Sequence, residues 1–64
     1  MNKNKSQISY WYEDECILTV PTHSVPHIGE EIHIDTKWTF VVTHIKRYYK
    51  KTLEEFEVYL ENKI

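Results

Sequence analysis

The sequence predicts an all-β fold, a small five-stranded antiparallel barrel or strongly bent meander sheet. Apolar residues recur at every second position within Glu30 to Asp35 and again from Trp38 to Val42, on both sides of a short polar break. This pattern is typical of a hairpin with one buried face. The segment from Phe56 to Leu60 alternates in the same way and consists of β-prone residues. Three strands in succession are therefore predicted between residues 30 and 60.

Two further strands are predicted before this hairpin. The mostly polar composition of residues 1–6 predicts a flexible tail. Residues 7–64 then form a single β domain. Residues 7–12 alternate and place Ile8, Tyr10 and Tyr12 on one face. Residues 13–15 form an acidic turn, and the β-prone residues 16–20 end at Pro21.

A loop from Pro21 to Gly29 leads into the third strand. Gly29 is the single glycine of the chain, and such a position usually requires a positive φ. Residues 35–37 then form a turn without glycine, which Asp35 favours because its carboxylate bonds the nearby backbone.

The sequence of the fourth strand predicts a β-bulge. Trp38, Phe40 and Val42 share one face, but the next apolar residue, Ile45, follows Val42 by three positions instead of two. A β-bulge near Thr43 and His44 would return Ile45 to the core and bend the strand, as a small barrel requires.

The last strand is predicted over residues 54–61, with Phe56, Val58 and Leu60 pointing inward. A helix from Lys50 to Asn62 is the alternative, because several apolar residues there lie near helical spacing and Glu, Leu and Lys favour helices. The alternation from Phe56 to Leu60 favours the strand. Five short strands, mostly joined in sequence, suit a half-open SH3-like or OB-like barrel.

Three segments resemble a group of small proteins from bacteria and their phages that have SH3-like barrels. They are Pro26-x-x-Gly29-Glu30-x-Ile32-x-Ile34, Phe40-x-Val42-x-x-Ile45 and Val58-Tyr59-Leu60, with His44 at a histidine position of the pattern. The resemblance covers residues 18 to 61. It implies a barrel fold and, by analogy, a phage-type inhibitor or adaptor that acts on another protein.

Length and composition limit the classes of function. The chain has 64 residues, 8 Lys+Arg against 10 Asp+Glu, and one cysteine, Cys16. Ordering costs roughly 1.5 kcal/mol per residue in so small a domain, and no internal disulfide offsets it, so a partner or self-association is expected on stability grounds. No apolar run suits a membrane helix or a signal peptide. The lone thiol predicts a cytoplasmic protein.

No catalytic, metal or cofactor motif is recognised. Cys16, His23, His27 and a carboxylate could in principle hold zinc, but no zinc-binding spacing is present. We expect His23, His27 and His33 to face solvent, and Cys16 to be a small buried apolar residue without a histidine partner. The protein is therefore predicted to be non-enzymatic and to carry no cofactor.

The run from Lys46 to Lys51 is basic and contains two tyrosines. Such a surface can grip phosphates and stack bases, which predicts single-stranded nucleic-acid binding as an alternative function. Cross-strand pairs of Arg47 or Lys50 with Glu55 or Glu57 would instead neutralise the run.

Aromatic residues exceed what the predicted core needs. The chain has two Trp, five Tyr and two Phe, and the inward positions use Tyr10, Tyr12, Trp38, Phe40 and Phe56. Aromatic side chains exposed on a sheet are favoured anchors of protein interfaces. The sequence thus predicts a protein-binding module, or one that self-associates. The predicted contact residues are Trp11, Arg47, Tyr48, Tyr49 and Tyr59.

Overall fold

The structure, a computed structural model, describes residues 5–22, 24–51 and 53–63. The regular structure in these residues consists of five strands: β1 Lys5–Tyr12, β2 Glu15–Pro21, β3 Glu31–Ile34, β4 Trp38–Tyr49 and β5 Leu53–Asn62. The all-β class and the five strands are confirmed, and the alternative helix over residues 50–62 is wrong. Within the described ranges, no helix has the length and apolar character needed to cross a membrane.

The five strands form one sheet in the order β2-β1-β5-β4-β3, curled into a half-barrel. Three of the four strand pairs are antiparallel, as predicted, but β1 and β5 run parallel. The sheet is mixed because the β1–β2 hairpin joins the β3–β4–β5 meander side by side through two strands that run in the same direction. Alternation within a strand does not show which distant strand will be its neighbour.

Two turns use positive φ without glycine. Glu13 and Asp14 have φ values of 54° and 44° and connect the paired residues Tyr12 and Glu15. A two-residue loop with both central residues at positive φ matches the right-handed twist of the strands it joins. Asp35 and Thr36 adopt the same region, with φ values of 62° and 58°, between β3 and β4.

The predicted bulge in β4 is confirmed. Val42 pairs with Leu60 and His44 pairs with Tyr59, so Thr43 is the extra residue. Ile45 then pairs with Val58 and packs against the core. A second irregularity lies at Ile17 in β2, between the pairs Tyr10–Leu18 and Trp11–Cys16.

The core lies on the concave face of the half-barrel. Its buried members come from β1, β4 and β5: Ile8, Phe40, Val42, Phe56, Val58 and Leu60. The predicted inward positions Tyr10 and Tyr12 pack against this cluster. Trp38 was expected in the core with Phe40, but it is 51% exposed because it begins β4 at the open end of the sheet.

The connection between β2 and β3 joins the two edges of the sheet and must therefore cross one of its faces. It crosses the concave face, where Val25 packs against the core and Pro26 is buried. Gly29, at a φ of 92°, ends this connection as predicted. Its N–H donates to the Val42 carbonyl at 2.8 Å, and the Val42 N–H donates to the Glu30 carbonyl at 3.0 Å, which extends the pairing of β3 with β4.

Candidate binding surfaces

The five predicted contact residues lie on both faces of the sheet. Trp11 pairs with Tyr59, and Tyr48 pairs with Glu55. In β5, Phe56 and Val58 point into the core, so the alternate residues Glu55 and Tyr59 point to the convex face. Paired residues share a face, which places Trp11 and Tyr48 on the convex face as well. Arg47 and Tyr49 alternate with Tyr48 and therefore lie on the concave side. The structure thus brings Trp11, Tyr48 and Tyr59 to one surface and separates them from Arg47 and Tyr49.

Three ring side chains cross the convex face in a line, and we call them the aromatic row: Trp11 of β1, Tyr59 of β5 and His44 of β4. The Trp11 and Tyr59 ring centroids are 6.4 Å apart, and those of His44 and Tyr59 are 5.9 Å apart. The Lys46 ammonium lies over the Tyr59 ring at 5.4 Å. Each ring is a cross-strand neighbour of the next, so the row is continuous over three strands.

Tyr59 is held in place by a carboxylate. Its hydroxyl donates a hydrogen bond to Glu57 Oε1, and this bond, followed by partial burial, raises the pKa of Tyr59 to about 12. The hydroxyl is therefore protonated over the whole physiological pH range. Trp11 Nε1 is buried and finds no acceptor among the residues that the structure describes.

A polar cluster around Glu55 borders the aromatic row. The carboxylate accepts hydrogen bonds from the Ser9 hydroxyl at 2.8 Å and the Lys50 ammonium at 3.1 Å. The bond from Ser9 and then that from Lys50 hold the pKa of Glu55 below its usual value. Ser9 is itself buried. The predicted pairing of Lys50 with Glu55 is confirmed.

Arg47 has three partners on the concave side. Its guanidinium carbon lies 5.0 Å from the Phe56 ring centroid and 5.8 Å from that of Tyr49. Its Nη1 donates to the Tyr49 hydroxyl at 2.9 Å, and its Nε lies 3.5 Å from Glu54 Oε2. Glu54 takes the place expected for Glu55 or Glu57 because residues 54 and 56 share the concave face with Arg47. The ion pair reduces the positive potential of the run from Lys46 to Lys51.

The concave face holds a feature that the sequence did not predict. A hollow of about 290 Å³, which we call the mouth, opens at the end of the half-barrel where β1 ends and β4 begins. It is lined by Tyr12, Ile17, Ile34, Asp35, Trp38 and Phe40. The available signal was the position of Trp38 directly after a turn, where a strand leaves the core.

The histidines and the cysteine do not assemble a site in the described ranges. His27, His33 and His44 are exposed, as expected for His27 and His33, while His23 lies outside the described residues. No group of three or more His, Cys, Asp or Glu side chains could hold a metal there. Cys16 was expected to be buried but is exposed. It lies in β2, which is an edge of the sheet and is exposed along most of its length.

Comparison with known proteins finds no family model, no curated sequence and no solved structure that matches this chain. The surfaces described above are therefore the basis for assigning a function.

Proposed function

We propose that this chain is a small, non-enzymatic, cytoplasmic protein-binding module whose convex face docks a protein partner. The aromatic row of Trp11, Tyr59 and His44 carries this proposal, with Tyr48 beside it. The partner is a larger protein that the module blocks or bridges, in the manner of a phage-type inhibitor or adaptor, or a second copy of the chain.

The aromatic row suits an interface because its members are already ordered. Binding costs roughly 0.5–1.5 kcal/mol for each mobile side chain that becomes immobilised. Tyr59 is restrained by Trp11, His44 and the hydroxyl bond to Glu57. A partner that covers these rings gains apolar contact area at a small cost in side-chain entropy.

The surroundings of the row also match the usual anatomy of an interface. Tyr48 is 39% exposed and supplies an aromatic anchor, while Lys46 and the Glu55 cluster supply charged groups at its border. Interfaces commonly combine such an aromatic centre with a polar rim. Arg47 and Tyr49, which occupy the other side of the sheet, would contact the same partner only if it wraps around the end of the β4–β5 hairpin.

The test compares Trp11→Ala and Tyr59→Ala with Tyr49→Ala. Tyr49 is the matched control because it is an exposed aromatic residue on the same hairpin but on the opposite side of the sheet. Light scattering after size exclusion measures self-association, and affinity capture with quantitative mass spectrometry measures binding of another protein. We expect the two convex-face variants to lose the same association and Tyr49→Ala to retain it.

Melting temperature distinguishes contact residues from core residues in this experiment. A contact role predicts that association falls more than the melting temperature does. Equal losses of association and thermal stability in both convex-face variants would contradict the proposal, and so would an association that only Tyr49→Ala removes.

Single-stranded nucleic-acid binding by the run from Lys46 to Lys51 is the competing function. It requires free positive charge, whereas Arg47 lies beside Glu54 and Lys50 contacts Glu55. If it operates, affinity for an oligonucleotide should fall steeply as salt is raised, because bound phosphates release counterions. Fluorescence anisotropy at low salt tests this directly, and we expect no retention of a labelled oligonucleotide.

A further inference from the structure

The mouth is formed where the two ends of the strand order approach each other. Ile17 comes from the edge strand β2, and Ile34 comes from β3 at the opposite edge. Tyr12, Trp38 and Phe40 fill the space between them. Because both edges contribute walls, the mouth is the open end of the half-barrel, a common position for ligand sites in β-barrels.

Three aromatic rings surround the mouth. Phe40 lies at its base and is 3% exposed, and the Tyr12 ring is tilted against it at a centroid distance of 5.1 Å. Trp38 forms a wall nearly parallel to Phe40, with ring centroids 6.4 Å apart and an interplanar angle of 15°. Trp38 is about half exposed, so much of its ring surface is free for a ligand.

The charge around the mouth is negative. The Asp35 carboxylate lines it, and no ion pair engages Asp35 among the residues described. The acidic turn of Glu13 and Asp14 follows Tyr12 at the same end of the sheet and adds negative charge at longer range, although these two residues line a separate hollow beside Trp11 and Tyr59. Lys37, two residues from Asp35, offsets part of this charge, and Lys63, whose N–H donates to the Thr39 carbonyl near the start of β4, is engaged with Glu31. Arg47 and Lys50 lie at the opposite end of β4, so the field at the mouth favours a cation.

These properties select a particular kind of cation. An unmodified ammonium group is strongly hydrated and needs several hydrogen-bond acceptors, whereas the side chains around this hollow are mostly carbon. A quaternary ammonium group presents methyl carbons and keeps its positive charge, which is the combination that aromatic faces bind. A neutral apolar molecule would bury the Asp35 carboxylate without compensating its charge.

We propose that the mouth binds a small free solute bearing a quaternary ammonium group and a net positive charge, of the choline type. Trp38 contacts the methyl groups, Phe40 closes the base, Tyr12 and the two isoleucines complete the wall, and Asp35 balances the charge. The volume of about 290 Å³ lies at the lower limit for ligand pockets and fits a small solute. This proposal is independent of the aromatic row, which lies on the other face of the sheet.

The test is a titration of the full chain with choline, followed by two-dimensional amide and indole NMR. Sodium chloride controls for ionic strength, and the neutral tert-butyl analogue of choline controls for shape without charge. We expect choline to shift the Trp38 indole and the amides of residues 12, 35 and 40. We expect the neutral analogue to bind about tenfold more weakly, because it lacks the cation–π attraction.

Three variants locate the site. Trp38→Ala should weaken choline binding about tenfold through loss of a ring face. Asp35→Asn, which preserves size, should weaken it about threefold by removing one charge at the border of the hollow. Tyr49→Ala is the control at the opposite end of β4 and should bind like the parent. Asp35→Asn also serves as the second test if Trp38→Ala does not fold.

Three results would overturn the proposal. The first is equal binding of choline and its neutral analogue, which would make the site merely apolar. The second is a choline response centred on Trp11 or unaffected by both mouth variants. The third is tighter binding of a trimethyl-lysine peptide than of choline, because the site would then serve a protein segment instead of a free solute.

Discussion

The bulge at Thr43 can be tested by deleting single residues from β4. Because Thr43 is the extra residue, its deletion leaves Val42 opposite Leu60 and His44 opposite Tyr59. The alternation then continues without interruption, and no core side chain changes face. The identifiable loss is the hydrogen bond that Thr43 Oγ1 donates to the Tyr59 carbonyl at 3.2 Å, worth about 0.5–1.5 kcal/mol, together with the local bend.

Deletion of Val41 is the matched control. Val41 lies in a regular part of the strand, between Phe40 and Val42, which are 3% and 1% exposed. Without it, one of these two side chains must move to the convex face, since a shift of one residue reverses the orientation of a strand. Exposing one such side chain costs about 2–3 kcal/mol, which is comparable to the whole stability of about 3–5 kcal/mol that a core of this size supplies.

Urea unfolding followed by tryptophan fluorescence and circular dichroism measures both effects. We expect the chain lacking Thr43 to unfold cooperatively with a free energy lowered by about 1 kcal/mol, and the chain lacking Val41 to be largely unfolded without urea. Equal damage from the two deletions would refute the reasoning, because the bend would then matter as much as the register. A chain that tolerated the deletion of Val41 would also refute the reasoning, because the register would then not matter.

Three further predictions concern single side chains. The pKa of Tyr59 is raised from 10.0 to about 12, mainly by its bond to Glu57, so it stabilises the fold fully below pH 10.0 and loses this contribution as the pH rises toward the folded value. In an ultraviolet titration one tyrosine should ionise last, and Tyr59→Phe should remove that step. The pKa of Glu55 lies below the ordinary 4.5, chiefly because of Ser9, so its contribution is present above pH 4.5 and is lost as the pH falls through the folded value. Glu55→Gln should therefore reduce the acid dependence of the unfolding free energy, and an unchanged dependence would exclude Glu55 as its source. Gly29→Ala should lower the free energy of unfolding in urea by about 1–2 kcal/mol, because alanine is strained at a φ of +92°. The added methyl group meets no atom within 4 Å, so the whole cost comes from the backbone. An unchanged stability would show that the backbone is not strained there.

Local periodicity was sufficient to predict most of the fold. The interval of three residues between Val42 and Ile45 marked the bulge, because an extra residue in a strand changes the alternation in a way that is visible in the sequence. The same argument placed Phe56, Val58 and Leu60 in the core, and the identity of Gly29 as the single glycine placed a positive φ there. These features depend on residues that are close together in the chain.

Features that depend on distant residues were not predictable in this way. The parallel pairing of β1 with β5 depends on which hairpin edges meet. The exposure of Cys16 and Trp38 depends on where the sheet ends, since their sequence neighbours are as apolar as those of buried strand residues. The mouth combines residues from four strands, and no single segment contains enough of them to form a pattern.

The same reasoning explains why the predicted contact residues divide between two surfaces. Arg47, Tyr48 and Tyr49 are consecutive, so alternation must send Tyr48 to one face and the other two to the opposite face. The bulge decides which face each one takes, because Thr43 shifts the phase of every later residue of β4. If Thr43 instead took a regular place in the alternation after Val42, Tyr48 would lie on the concave face, away from Trp11 and Tyr59. A partner that binds the aromatic row is therefore expected to distinguish Tyr48→Ala from Tyr49→Ala, although the two residues are identical and adjacent. If both substitutions weaken the association equally, the contact surface is the end of the β4–β5 hairpin and not the convex face.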